Sequence, residues 1–311
     1  MWWMRCETRN AGTMPYVYSP PNWLRQKGSD TRNKTANGNT ASISGLASFT
    51  YDGFNRLATS VTAADTTTYT YNALGERMKK INQNGLSTVF HYGPNGELLW
   101  EKDQAGNTKA YVWLDGRPLA RIDNDAQIYY YHVDHLGTPQ AMTNSSAAVV
   151  WKADYEPFGK ATIKVSTIEN NLRLPGQYYD RETGLHYNYF RDYDPTTGRY
   201  LETDLIELRG GLNLYSYVGG NPLSFVDPHG LSKLDKTFGF PKEFWNWYHR
   251  KIKKPGDPDL EKEEANNLCE DWKQKGRPGP DNKKPRNERG EADPSLLEWL
   301  IPWPLTSGDA Y

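Results

Sequence analysis

Four segments of this 311-residue chain repeat one pattern at an interval of roughly 20 residues. They read FTYDGFNRL at 49–57, YTYNALGER at 69–77, FHYGPNGEL at 90–98 and YVWLDGRPL at 111–119. Each begins with aromatic residues at i and i+2, which lie on one face of an extended strand. A turn bearing Gly or Asn follows, where positive φ costs little, and then a second short strand opens. Each unit is therefore a β-hairpin with an aromatic face that it cannot bury alone. Stacking the hairpins side by side in one long sheet buries that face. Unrelated hairpins in a β-sandwich are the alternative, and four successive matches weigh against it.

Composition agrees with a sheet whose faces are rich in ring contacts. Tyr (21) and Trp (11) supply apolar area that Leu and Ile supply in most chains. The net charge of −1 gives the sheet no electrostatic reason to bind nucleic acid or an anionic membrane. The two cysteines, Cys6 and Cys269, sit far apart in unlike contexts, so no disulfide framework or cysteine metal site is expected. No apolar run approaches the length of a membrane span. The opening MWWMRCETRN lacks the pattern of a secretory signal, so export would need a route that does not read one. Residues 1–48, rich in Asn, Thr, Ser and Gly, show neither helical nor strand periodicity and are expected to be an irregular lead-in.

The repeats resemble the YD repeats of the RHS family, which also occur in teneurins and insecticidal toxin complexes. The segment YYYHVDHLGTPQAMTNSSAAVVWKADYEPFGK at 129–160 is similar to the C-terminal part of the RHS core, with its H-x-D-H-L-G-x-P and Y-x-P-F-G elements. Residues 175–231 resemble the RHS-associated core, which closes on D-P-x-G-L, here Asp227-Pro228-His229-Gly230-Leu231. The likeness spans residues 49–231. It implies a mainly β fold of stacked hairpins forming part of an RHS/teneurin-like β-shell, followed by a small mainly α C-terminal domain. The corresponding divisions are a repeat sheet at 49–160, a plug and self-cleavage region at 161–231, and a variable effector candidate at 232–311. Full shells of the family need many more repeats, so the chain is expected to be a truncated or displaced fragment forming the closing end. The resemblance further implies a toxin used against competing bacteria, cytoplasmic before export, with a cognate immunity protein and secretion machinery as partners. No cofactor is expected. Two other readings stay open: a non-catalytic, adhesive YD-repeat structure, and an inactive truncated gene product.

Four sets of residues invite chemistry. His132, Asp134 and His135 suggest a metal, but alternation on a strand sends His135 to the opposite face, which favours structural hydrogen bonding. Glu156, in Y-x-P-F-G, reads as part of a structural corner. Asp204 and Asp227 match the two aspartates that the resemblance assigns to self-cleavage between Leu231 and Ser232. Two close carboxylates share one proton, so that one remains an acid while the other activates water. The second motif is complete. The first departs from the family pattern, with Leu205 where Pro is usual and Glu207 where Gly is usual. Arg173, in the family's L-R-x-P-G-Q element, is the candidate to orient a carboxylate through its bidentate fork, with a plain salt bridge as the equal alternative.

The fourth set lies in 232–311, which reads as a helix after Pro241, a second helix over 260–275 and a basic, proline-rich loop. His249 beside Arg250, Lys251, Lys253 and Lys254 could serve an RNase-like centre, while a solvated basic helix face is the plainer account. Basic and acidic residues balance across this segment, so it has no overall nucleic-acid footprint.

Overall fold

The computed structural model describes residues 16–19, 22–206 and 211–231. The chain divides into two compact units, Met1–Asp235 and Lys236–Tyr311, and every described residue belongs to the first. The effector candidate, with His249, the basic residues beside it and Ser232 of the expected cut, lies outside the described residues.

The expected stack is present and longer than the four repeats. The strands are β1 (Tyr16–Ser19), β2 (Trp23–Lys27), β3 (Asp30–Lys34), β4 (Thr40–Ile43), β5 (Ala47–Tyr51), β6 (Leu57–Thr62), β7 (Thr66–Tyr71) and β8 (Arg77–Asn82). They continue as β9 (Ser87–Tyr92), β10 (Leu98–Asp103), β11 (Thr108–Leu114), β12 (Arg117–Asp123), β13 (Gln127–Val133), β14 (Pro139–Asn144), β15 (Val149–Tyr155) and β16 (Ala161–Ser166). All sixteen form one antiparallel sheet in sequence order, each strand paired with its chain neighbours. Of the expected irregular lead-in, residues 1–15 lie outside the described residues, and residues 16–19 and 22–48 are thus not irregular. Their strands β1 to β4 lack apolar periodicity but gain their partners from the stack, where pairing outweighs weak intrinsic preference. The sheet also runs past residue 160 to Ser166, because β16 pairs with β15.

The two aromatic positions of each repeat do different work. The first, Phe49, Tyr69, Phe90 and Tyr111, is buried on one face, and Tyr131 and Trp151 continue the row. The second is half-buried, and in three of the four repeats its polar tip caps a carbonyl of an earlier hairpin. Tyr51 Oη donates to Thr40 O at 2.7 Å, Tyr71 Oη to Leu57 O at 2.8 Å and Trp113 Nε1 to Leu98 O at 2.8 Å. Register shifts fall beside these residues, at Thr50/Tyr51, Thr70/Tyr71 and Val112/Trp113. Amphipathic rings suit such sites, since the ring covers apolar surface while the tip satisfies a buried carbonyl.

What covers the aromatic row is a small second sheet of β17 (Tyr178–Asp180), β18 (Leu185–Asn188), β19 (Arg191–Asp194) and β20 (Arg199–Tyr200). Leu172, Tyr178 and Tyr187 join Phe90, Tyr111, Tyr131, Met142 and Trp151 in one core cluster. Leu185 and Leu201 join Phe49, Leu57 and Tyr69 in another. Polar clips cross the same junction. Arg32 pairs with Asp194 at 2.7 Å, and Glu101 accepts from Tyr178 Oη at 2.6 Å. The second sheet therefore sits as a plug on the aromatic face of the large sheet, and β18 and β19 are buried along their whole length.

Candidate functional site

The candidate site is built on β19 and on the loop that ends the described chain. Tyr178 to Asp194 fold as a short meander, so Asn188 and Arg191 stand at facing ends of β18 and β19. Two glycines let the 227–231 loop approach them. Gly230 has φ +67°, and a side chain there would lie 2.5 Å from Asn188 O. A side chain at Gly176 (φ +84°) would strike the Pro228 backbone. Only glycine suits both positions.

Arg191 is the hub. Its Nη2 lies 3.0 Å from Asp204 Oδ2 and 3.5 Å from Asp227 Oδ2, so the two aspartates share one guanidinium nitrogen. Nη1 donates to Leu214 O at 3.1 Å, Nε donates to Gly230 O, and the guanidinium stacks 3.7 Å over the Tyr200 ring. Asp227 Oδ1 accepts the Leu231 N–H at 2.9 Å, and Oδ2 accepts the Tyr200 hydroxyl at 2.9 Å. Asp204 Oδ1 accepts the Ile206 N–H at 3.0 Å. Both aspartates and Arg191 are buried. Burial pushes the Asp204 carboxyl up to about 6, and the Asp227 charge adds to the rise, while Arg191 and the Ile206 N–H offset part of it. The result is a buried carboxylate pair, bridged by one arginine and hydrogen-bonded to the amide one residue before the expected cut.

Of the two departures in the first motif, Glu207 lies outside the described residues, and Leu205 leaves the aspartate in place. Leu205 points to solvent, 44% exposed, while Asp204 stays buried against Arg191. Arg173 takes a different place from the one its motif suggested. Its Nη1 donates to Asn170 O and Leu172 O, and its guanidinium lies 4.5 Å from the Tyr179 ring centre. It braces the start of the plug, and the guanidinium that meets the two aspartates is that of Arg191. Arg191 does not stand out in the sequence, because FRDYDP looks like an ordinary charged strand and no local signal in it marks burial.

The other candidates point apart. His132 Nε2 meets Thr143 Oγ1 at 3.0 Å, His135 Nε2 meets Leu223 O at 2.9 Å, and Asp134 Oδ1 accepts the N–H groups of Leu136, Gly137 and Thr138. Asp134 thereby ties off its own hairpin turn. Glu156 pairs with Lys160 at 2.9 Å in an exposed turn. Among the described residues no three His, Cys, Asp or Glu side chains gather as metal ligands, and no helix is long and apolar enough to cross a membrane.

Comparison with known proteins agrees with this architecture. The family model described as "RHS protein" matches residues 128–164. Double-stranded DNA deaminase toxin A of Burkholderia cenocepacia is 32% identical over 219 residues, covering 59% of this chain and 15% of that protein. Toxin protein Tse5 of Pseudomonas aeruginosa is 36% identical over 198 residues, covering 52% of this chain and 15% of that one. The chain thus spans 15% of the length of each of these two relatives. Among solved structures, the Photorhabdus luminescens Tc holotoxin pore matches with a TM-score of 0.54 and 25% identity, over 65% of this chain and 11% of that one.

Proposed function

We propose that this chain, an RHS-repeat protein of the polymorphic-toxin kind, is the closing end of a cargo-bearing shell whose plug cuts the chain after Leu231. In this reading the sheet is wall, residues 170–231 are plug and cutter, and residues 232–311 are the effector set free. Sequestration of the effector until delivery into a competing cell, with an immunity protein protecting the producer, belongs to the same proposal. The observation that carries it is the Asp204–Arg191–Asp227 cluster, with the Leu231 N–H held on Asp227.

The chemistry is hydrolysis of the Leu231–Ser232 peptide bond. Water adds to the Leu231 carbonyl carbon, the C–N bond breaks, and the Ser232 nitrogen leaves with a proton. Asp227 accepts hydrogen bonds on both oxygens and serves as the carboxylate that takes the proton from water. Asp204, raised to about 6, supplies the acid. Its raised value sets the sign of the pH dependence: the acid form is lost as pH rises through about 6, so cutting slows toward alkaline pH.

Expression of the full chain tests this. A fragment whose N-terminal residue is Ser232 is expected, formed faster at pH 5.5 than at pH 8, and Asp227→Asn is expected to leave the chain whole. A wild-type chain that stays intact across that range would overturn the reading.

A further inference from the structure

Asp227 is gripped by a relay that the two-aspartate chemistry does not by itself call for. The Tyr200 hydroxyl lies 2.9 Å from Asp227 Oδ2, and Asn188 Nδ2 lies 2.7 Å from that hydroxyl and 3.0 Å from Asp227 O. The direction of each bond follows from the groups. A carbonyl oxygen only accepts, so the amide NH2 of Asn188 must face Asp227 O, and the same NH2 faces Tyr200. The phenol oxygen then receives from Asn188, and its own proton is left to point at Asp227 Oδ2. Tyr200 and Asn188 are buried, so water does not compete for these bonds. Burial, together with the Asp227 charge, holds the phenol well above its ordinary value, and it stays a donor throughout the neutral range.

We propose that Tyr200 is a positioning residue for self-cleavage, holding Asp227 Oδ2 so that Oδ1 stays on the Leu231 N–H and the carboxylate stays charged. This rests on the self-cleavage reading above and adds a determinant of its rate. A hydrogen bond to a charged acceptor is among the stronger ones, and it favours the charged form. Losing it should slow cutting and require a higher pH before Asp227 can act as base. Arg191 alone does not replace it, because its Nη2 lies closer to Asp204 than to Asp227.

The test is a time course of full-chain cell-free synthesis across pH 5–8, following the Ser232 fragment. Tyr200→Phe keeps the ring under Arg191 and removes one oxygen. It is expected to cut about tenfold more slowly on the acid side, with that limb of the profile moved to higher pH. A 3-fluorotyrosine at residue 200 keeps the shape, strengthens the donor and is expected to move the same limb to lower pH. This second variant settles the matter if Tyr200→Phe fails to fold. Wild-type cutting with unchanged rate and profile in the folded variants would overturn the role of Tyr200. Absence of cutting in wild type would instead overturn self-cleavage, and the two failures are distinct.

Discussion

Replacing Arg77 with methionine is expected to destabilise the first unit by about 3–5 kcal/mol, read from the urea midpoint at constant m-value. Arg77 opens β8 at the place in the repeat where Leu57 and Leu98 stand in neighbouring hairpins, so a charge replaces an apolar side chain on the covered face. Its partner comes from the plug. Nη1 and Nη2 grip Asp180 Oδ2 and Oδ1, and the guanidinium lies 4.2 Å from the Tyr187 ring centre and 5.1 Å from that of Phe90. Burial alone would favour loss of the Arg77 proton, but the Asp180 charge outweighs it and holds the guanidinium well above its ordinary value. Removing the arginine leaves Asp180 buried with only Lys80, at 3.0 Å, to balance it. The double variant Arg77→Met with Asp180→Asn removes the stranded charge and should recover about half of the loss. Arg56→Met, at a partly exposed pair with Asp52, should cost at most about 1 kcal/mol. A single Arg77→Met as mild as Arg56→Met would show that the clip between sheet and plug contributes little.

That clip marks the limit of what the sequence discloses. The hairpin stack was legible because Phe49, Tyr69, Phe90 and Tyr111 keep one spacing, and the period alone says that they share a face. Strands β2 to β4 were not legible, since WLRQK, DTRNK and TASI carry almost no apolar alternation and owe their form to neighbours. In the site, Asp204 and Asp227 stood out through their motifs. Arg191 did not, because what singles it out is the convergence of three distant segments on one guanidinium. Arg173 shows the converse: a motif position drew attention to an arginine that the fold uses for bracing the backbone. Buried charge is a property of the partner elements, and no local pattern in RDYD announces that both faces of β19 are covered.

The same strand carries the second large effect. Asp192 on β19 and Glu202 just after β20 are both buried, and Glu202 Oε2 accepts the Asp192 N–H at 2.8 Å. Asp192 Oδ1 and Glu202 Oε1 are buried without a hydrogen-bond partner. Arg77, Asp180, Glu182, Arg191 and Lys34 are the charged groups around them, and Arg77 and Arg191 are already committed to Asp180 and to the Asp204–Asp227 pair. Burial pushes Glu202 up to about 7, while burial and the Glu202 charge raise Asp192 well above the usual carboxylate range. A carboxyl raised on folding binds protons more tightly in the folded state. Its contribution is fully present below the unfolded value of about 4.3 and is lost as pH rises through about 7. Lys34, lowered to about 7 chiefly by burial, acts in the opposite sense above that pH, adding stability as pH climbs toward the ordinary lysine value. Wild-type stability should therefore fall from pH 5 to 7, while above 7 the gain from Lys34 opposes the loss that Asp192 continues to bring. Glu202→Gln keeps an oxygen for the Asp192 N–H and offers an amide to Asp192 Oδ1. It should flatten the acid-side fall and gain on the order of 2–3 kcal/mol at pH 7, with little change at pH 4.5. Parallel stability curves for wild type and Glu202→Gln, measured by urea unfolding between pH 4.5 and 8, would mean that Glu202 is already ionised in the folded chain.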